Sequence, residues 1–84
     1  MLFRILTENK NRAGIERMLK RLNAYTILEG TGYWEGKPEA SLIIEADGDE
    51  DLRAVIRKLA EEIRAQNEQE CVLVQEIAAK SILV

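Results

Sequence analysis

Residues 30–37, GTGYWEGK, combine three glycines with a lysine and two adjacent aromatic side chains, a composition typical of loops that bind phosphate. A Walker-type phosphate loop requires four residues between its glycines, then a lysine, a hydroxyl residue and a helix. Here the spacing to Gly36 is three residues from Gly32 and five from Gly30, and a proline follows the lysine. The next segment predicts a strand, so no helix N-terminus would face an anion. We therefore interpret the stretch as the tip of a β-hairpin.

The aromatic side chains of this hairpin remain informative after the phosphate reading is excluded. Large aromatic rings near an exposed turn favour contact with a ligand or a partner. We therefore expect a contact site made by Tyr33, Trp34, Glu35 and Lys37. The alternative is that the two rings only cover a small core or pack against their cross-strand neighbours.

The residue types that most often do catalysis are nearly absent. The chain contains no histidine and one cysteine, Cys71. This excludes Ser-His and Cys-His nucleophiles and leaves no ligand set for structural zinc. Cys71 lies in an apolar run, which predicts a buried and inert thiol. We predict no catalytic residue and favour a protein that is not an enzyme, because the only acid–base candidates near the hairpin have the spacing of ordinary surface charges: Glu29, Glu35, Glu39 and Glu45.

The acidic segment DGDEDL, residues 47–52, begins like a calcium-binding loop with alternating aspartates. In an EF-hand the sixth position is glycine and the twelfth is glutamate. Here those positions hold Leu52 and Lys58, so the segment predicts a solvated helix cap. We predict neither a metal site nor a cofactor.

Charge is distributed unevenly along a chain whose net charge is −3. Residues 1–23 carry six basic and two acidic side chains, whereas residues 24–84 carry six and thirteen. Three basic residues on the outer face of the first predicted helix, Arg17, Lys20 and Arg21, are candidates for anion contact. Nucleic-acid binding is not expected, because the chain is acidic overall and the third predicted strand has no aromatic residue for base stacking.

The elements that must position these residues follow from hydrophobic periodicity. Strands are predicted at 2–7, 24–30, 41–46 and 70–77, and the glycines of the second strand predict a bulge or bend. Apolar residues recur at helical spacing in two further segments, one from an N-cap at Asn11 to a left-handed stop at Asn23 and one from an N-cap at Asp49 to Asn67.

The predicted order β-α-β-β-α-β is that of an α+β, ferredoxin-like sandwich, with a four-stranded antiparallel sheet and two helices on one face. The first and third strands take the centre of the sheet. The length of 84 residues predicts a single domain spanning residues 1–84. The last four residues, SILV, predict either a short fifth strand or a tail docked on the sheet.

Both faces of the predicted sheet are apolar in three strands, although only one face can be covered by the helices. An open sheet face in water alternates more cleanly, and a large exposed apolar patch usually marks an interface. We predict a homo-oligomer, a dimer or a trimer, in which the second face is buried through Leu2, Arg4, Leu6 and Ile43. The alternative is that the apolar tail folds back over this face.

No apolar run approaches the roughly 20 residues that a membrane span needs. The first ten residues, MLFRILTENK, also lack the long apolar stretch and cleavage site of a secretory signal. Together with the single cysteine, these features predict a cytoplasmic protein without membrane contact.

The hairpin WEGKPE followed by SLIIEA resembles the CutA-type members of the PII-like group, and the matching residues are Trp34, Gly36, Lys37 and Glu39. The resemblance implies a trimer built by sheet packing and hairpin exchange, with signalling or small-ligand binding in clefts between subunits. Copper binding is not carried over, because the cysteines and the histidine-proline-tyrosine segment of CutA are missing. The stretch GTGYWEGKPEASLIIEA is also similar to short uncharacterised proteins of bacteria and phages.

Two classes of function are compatible with these features. The first is a non-enzymatic homo-oligomeric module, regulatory or phage-associated, that binds a small ligand or a protein partner through the hairpin. The second is a small enzyme whose site forms between subunits from carboxylates such as Glu35 or Glu39 with Lys37 and Arg4. The missing histidine favours the first class.

Overall fold

A computed structural model describes residues 1–84 and contains four strands and two helices. In chain order they are β1 (Leu2–Glu8), α1 (Arg12–Leu19), β2 (Thr26–Trp34), β3 (Lys37–Asp47), α2 (Asp51–Gln66) and β4 (Leu73–Ile77). The strands form one antiparallel sheet in the order β2-β3-β1-β4. The predicted α+β, ferredoxin-like fold is confirmed, with β1 and β3 in the centre. Neither helix is long and apolar enough to cross a membrane.

The hydrophobic core lies between the sheet and the two helices. Alternate residues of β1 and β3 point into it, since successive strand residues face opposite sides of a sheet. The helices contribute the apolar stripes that their periodicity predicts. Twelve side chains form this core: Phe3, Ile5, Ile15, Leu19, Leu22, Leu42, Ile44, Ala46, Ile56, Leu59, Ala60 and Ile63.

Truncating the core at the centre of the sheet should be costly. Ile5 is fully buried, so Ile5→Ala is expected to lower the free energy of unfolding by about 2–5 kcal/mol, because lost burial and the cavity left behind both destabilise. Urea denaturation measures this change. The same truncation at exposed Ile82 should change stability by less than about 0.5 kcal/mol, and equal effects at both positions would contradict the assigned core.

Helix α1 begins where the sequence predicts and ends earlier. Asn11 is the N-cap, with φ 51° and ψ 55°, and its side-chain oxygen accepts a hydrogen bond from the Gly14 N–H. The predicted stop at Asn23 is wrong, because the helix ends at Leu19 and Asn23 does not have a positive φ. Leu22 still packs in the core. The apolar spacing that predicts a longer helix therefore reflects burial of the turn that follows α1.

Helix α2 matches its prediction closely. Its end at Asn67 is confirmed. Its first helical residue is Asp51, and Asp49 lies just outside, where its carboxylate accepts the Asp51 N–H at 3.0 Å. Asp49 therefore satisfies a free N–H of the first turn, although Glu50 occupies the formal N-cap position.

The hairpin is longer and more regular than predicted. β2 and β3 pair without interruption from Thr26 with Glu45 to Trp34 with Lys37, so the predicted bulge is wrong. A Cβ on Gly32 would lie 2.6 Å from the Ser41 hydroxyl oxygen, which shows that this glycine allows a close cross-strand contact. Glu35 and Gly36 form a two-residue turn, both with positive φ, as in a type I′ turn.

The C-terminal part of the chain departs most from expectation. β4 begins at Leu73, three residues later than predicted, and Cys71 lies before it as an exposed thiol, so its predicted burial is wrong. Residues 81–84 form no fifth strand, and Ile82, Leu83 and Val84 are exposed. The tail is held by Ser81, whose hydroxyl donates to the Asp47 carboxylate at the end of β3, and it does not dock on the sheet.

Candidate functional site

The face of the sheet opposite the helices, here called the open face, carries a continuous apolar row. Leu28, Ile43, Leu6 and Leu73 lie directly opposite one another across β2, β3, β1 and β4. The two outer members are the most exposed, Leu28 at 47% and Leu73 at 53%. Since neither a helix nor the tail covers this row, it is an apolar surface that crosses the whole width of the sheet.

The next row toward the other end of the open face is polar. Arg4 lies opposite Glu45, and Thr26 and Gln75 complete the row on the outer strands. The guanidinium of Arg4 holds the Glu45 carboxylate through two nitrogens, Nε at 2.8 Å and Nη2 at 2.6 Å. Leu2, in the row beyond, also lies on this face. The four residues predicted as an interface, Leu2, Arg4, Leu6 and Ile43, therefore share one surface.

At the hairpin end of the open face the sheet and a loop enclose a groove of about 470 Å³. Its floor contains Leu6 and Ile43 of the apolar row together with the backbone of Gly30 and Gly32. Its walls are the hairpin and the loop of residues 68–71, which joins α2 to β4. The groove is thus the place where the apolar row meets polar and aromatic side chains.

The loop wall is tied to the sheet by amide side chains. Gln69 is buried, and its Oε1 accepts the Glu8 N–H at 3.2 Å while its Nε2 donates to the Thr7 hydroxyl at 2.8 Å. Asn67 donates through Nδ2 to the Lys10 carbonyl at 3.1 Å. These bonds fix the loop of residues 68–71 against the end of β1, so the groove is formed by the fold before any ligand arrives.

Tyr33 and Trp34 both line the groove and are exposed, at 73% and 52% respectively. They occupy successive positions of β2, so their side chains leave opposite faces of the hairpin. Trp34 lies on the same face as Leu28, and Tyr33 lies on the helix side, beyond the end of the core. The structure leaves both rings outside the core, and Trp34 is the one aligned with the open face.

Two carboxyl groups meet in the groove. Glu8 at the end of β1 and Glu39 of β3 share a side-chain hydrogen bond, which raises the pKa of Glu39, and burial and the Glu8 charge act in the same direction. Lys10 lies 3.4 Å from the Glu8 carboxylate and opposes the shift. Glu8 and Lys10 were missed in the sequence. Strand alternation places Glu8 on the face of Leu6, but only the β1–β3 register shows that it adjoins the hairpin.

The raised pKa of Glu39 makes a testable prediction. The folded chain keeps this proton to a higher pH than the unfolded chain, where the ordinary value is 4.5. The contribution of protonated Glu39 to the free energy of unfolding is therefore complete below the pKa of the unfolded chain. It is lost as the pH rises through the pKa of Glu39 in the folded chain. In Glu8→Gln, the pKa of Glu39 should return toward 4.5, which carbon-13 NMR titration of the carboxyl measures. Glu35→Gln is the control, and an unchanged Glu39 titration in Glu8→Gln would contradict the pairing.

The other predicted site residues lie elsewhere. Glu35 and Lys37 are exposed at the hairpin turn and do not line the groove. Arg17 and Lys20 are exposed on α1 and just beyond it, on the helix side of the sheet, and Arg21 forms an ion pair with Glu62 of α2. The structure therefore does not bring the basic cluster to the hairpin, and Arg4 is engaged with Glu45 on the open face.

The exposed thiol of Cys71 is a further lining residue that sequence reasoning placed in the core. No group of three or more histidine, cysteine, aspartate or glutamate side chains lies together in an arrangement that could hold a metal ion. The groove offers instead a pair of carboxyl groups, one lysine, the aromatic ring of Trp34 and an apolar floor.

No protein family and no curated protein matches the sequence significantly. Solved structures with the same fold include a DUF3240 family protein from Shewanella baltica, with TM-score 0.73 and 14% identity, covering 99% of this chain and 94% of that one. A phage SAM lyase in its apo state has TM-score 0.67 and 20% identity, covering 87% of this chain and 75% of that one.

The fold is also shared with CPII, a nitrogen regulatory PII-like protein from Thiomonas intermedia that is bound to ADP, AMP and bicarbonate. Its TM-score is 0.61 and its identity 22%, with coverage of 96% of this chain and 93% of that one. The divalent cation tolerance protein CutA from Archaeoglobus fulgidus has TM-score 0.50 and 21% identity, covering 96% and 88% of the two chains. The resemblance to CutA and PII-like proteins is confirmed at the level of the fold.

Proposed function

We propose that this chain is a homo-oligomeric module that binds a small molecule and acts without chemically changing it. The observation that carries this proposal is the apolar row of the open face, which crosses all four strands and continues into a groove walled by the hairpin. In this account the row is the contact between copies of the chain, and the groove is the ligand site at the margin of that contact.

The exposure of the row supports the assembly. Leu28 and Leu73 would each leave about half of their surface in water in an isolated chain. Burying such side chains stabilises an interface by about 25 cal/mol for each Å² of apolar surface removed from water. The Arg4–Glu45 pair next to the row has its charges already matched within one chain, so a second copy covering this face would meet no unpaired charge there.

The dimensions of the groove support the ligand. Small-molecule sites are typically concave, mainly apolar and about 300–1,000 Å³ in volume. The groove, at about 470 Å³, lies within this range. Two proteins with this fold are associated with adenosyl compounds: CPII is bound to ADP and AMP, and the phage enzyme is a SAM lyase. Adenosyl compounds are therefore the first ligands to test, with the adenine ring stacked on Trp34.

The second candidate is an enzyme that uses the Glu8–Glu39 pair. One observation favours it: two carboxyl groups lie in a groove, and the neighbouring Glu8 raises the pKa of Glu39, a feature of sites that use a carboxyl group as a general acid or base. Lys10, 3.4 Å from the Glu8 carboxylate, would then orient Glu8. Turnover of a bound ligand distinguishes this candidate from the module.

The test is binding of AMP, ADP, S-adenosylmethionine and S-adenosylhomocysteine to the full chain. Trp34 fluorescence and thermal shift measure this binding. Trp34 is the only tryptophan, so its emission reports the groove directly. Saturable binding of at least one compound, recovered unchanged by mass spectrometry, is the expected result. Conversion of the ligand would favour the enzyme, and failure of all four to bind would contradict the adenosyl site.

A further inference from the structure

The groove has a strong charge asymmetry that the proposed function leaves unexplained. Four carboxylates line it, Glu8, Glu39, Glu68 and Glu70, and the only basic side chain among its lining residues is Lys10. That lysine is already engaged, with its Nζ 3.4 Å from Glu8. Lining groups of one sign focus the field in a cleft and raise the local concentration of the opposite charge. An anionic ligand would therefore enter against three net negative charges.

A bare metal ion does not fit this lining. Calcium takes six to eight oxygen ligands, and magnesium requires near-octahedral geometry. The structure brings no three carboxylate or thiol groups together in a metal-binding arrangement. The negative charges are spread around a wide, open groove. Such a lining suits a cationic group that is part of a larger organic molecule.

The aromatic wall suits the same kind of ligand. Trp34 lines the groove with half of its surface exposed. A flat aromatic body stacks on the exposed face of such a ring. A ligand stacked there can present an ammonium or sulfonium group to the nearby carboxylates.

We propose that the groove selects an organic cation, an ammonium or sulfonium group joined to a flat apolar body, over neutral and anionic analogues of the same shape. This inference rests on the proposed function, because it specifies the ligand of the same groove. The cationic centre lies against Glu8 and Glu39, and the flat body lies on Trp34 and the apolar floor made by Leu6 and Ile43.

The protonation of the pair is consistent with this assignment. The hydrogen bond from Glu8 and, less strongly, the charge of Glu8 raise the pKa of Glu39. A ligand cation placed between the two carboxylates offsets the repulsion between them. Binding a cation should therefore favour the fully ionised pair, whereas an anion would favour its protonated form.

A matched pair of ligands tests the inference on the full chain. S-adenosylmethionine carries a sulfonium, and S-adenosylhomocysteine is the same molecule without the methyl group and its charge. We expect calorimetry at pH 7 to show about ten-fold tighter binding of the sulfonium compound, and weaker binding still of ADP. Raising the salt concentration should weaken binding of the sulfonium compound and leave binding of the thioether, S-adenosylhomocysteine, nearly unchanged.

Variants test which carboxylate is responsible for the preference for the sulfonium compound. Glu39→Gln should remove most of the preference for the sulfonium compound, whereas Glu35→Gln, the same change on the same hairpin but outside the groove, should keep it. Equal or tighter binding of the thioether or of ADP would overturn the inference and leave the proposed function standing. A preference that survives in Glu39→Gln would overturn it as well, and failure of every compound to bind would contradict both proposals.

Discussion

Replacing Leu28 by aspartate should convert the proposed oligomer into a monomer at micromolar concentration. Leu28 lies at the outer end of the apolar row and is 47% exposed in the single chain, so the isolated fold tolerates a charge there. At an interface between copies the same carboxylate is buried without a partner, which costs about 3–5 kcal/mol. Each 1.4 kcal/mol is ten-fold in affinity, so association should weaken by about a hundred-fold or more. Light scattering coupled to size exclusion measures the change.

The control places the same change off the open face. Ile82 lies in the exposed tail, and Ile82→Asp should leave the oligomer intact. Thermal unfolding of both variants checks that the fold survives. Leu28 does not line the groove, so an effect of its substitution on assembly is not a direct effect on ligand contact. An oligomer that persists in Leu28→Asp would show that copies do not meet through this row.

Trp34→Ala should weaken ligand binding by about 5- to 150-fold, since stacking of a base on an aromatic side chain contributes about 1–3 kcal/mol by alanine substitution. The ring is half exposed and outside the core, so stability should change by less than about 1 kcal/mol. Calorimetry with the tightest adenosyl ligand gives the loss of affinity, and urea denaturation gives the stability.

Tyr25→Ala is the matched control, because Tyr25 is another exposed aromatic residue and does not line the groove. Its removal should leave affinity unchanged. If Trp34→Ala lowered stability and left both ligand binding and assembly unaltered, the hairpin ring would serve packing alone. That outcome would remove the hairpin from the ligand site.

Much of the fold could be predicted because strand alternation and helical spacing are local signals. The faces of β1 follow from Phe3 and Ile5 opposing Leu2 and Leu6, and the structure places them as predicted. The end of α1 could not be predicted in this way. Leu22 keeps the helical spacing after the helix has stopped at Leu19, because a buried turn needs an apolar residue as much as a helix does.

The hairpin shows why its glycines are a poor indicator of a bulge in β2. Gly30 and Gly32 lower strand propensity, which suggested a bulge. The structure instead uses Gly32 to admit the Ser41 side chain across a regular ladder. Whether a glycine breaks a strand or permits a close contact depends on its neighbours on the adjacent strand, here Ser41 diagonally across from Gly32. The register that decides this is not a local property of the sequence.

The candidate site was only partly predictable for the same reason. Tyr33 and Trp34 stand out by composition, whereas Glu8 is a single carboxylate at the end of a strand. Its pairing with Glu39 arises from the antiparallel register of β1 and β3, which joins residues more than 30 positions apart. The apolar neighbours of Cys71 predict a buried thiol, yet β4 begins two residues later and the thiol is exposed.

The fold by itself does not select a function. The solved structures that share it include a lyase, a nitrogen regulatory protein and a cation tolerance protein, and one architecture commonly supports unrelated activities. The open face and the groove of this chain therefore carry the proposed ligand-binding function. The basic residues Arg17 and Lys20 lie outside both and take no part in it.

Contact between copies through the open face can be tested by the molar mass of the unaltered protein at about 10 μM, measured by size exclusion with light scattering. Two or three times the chain mass of 9.6 kDa is expected. This mass should be unchanged in high salt, because the proposed contact is mainly apolar. A mass of one chain under these conditions would contradict the proposed assembly.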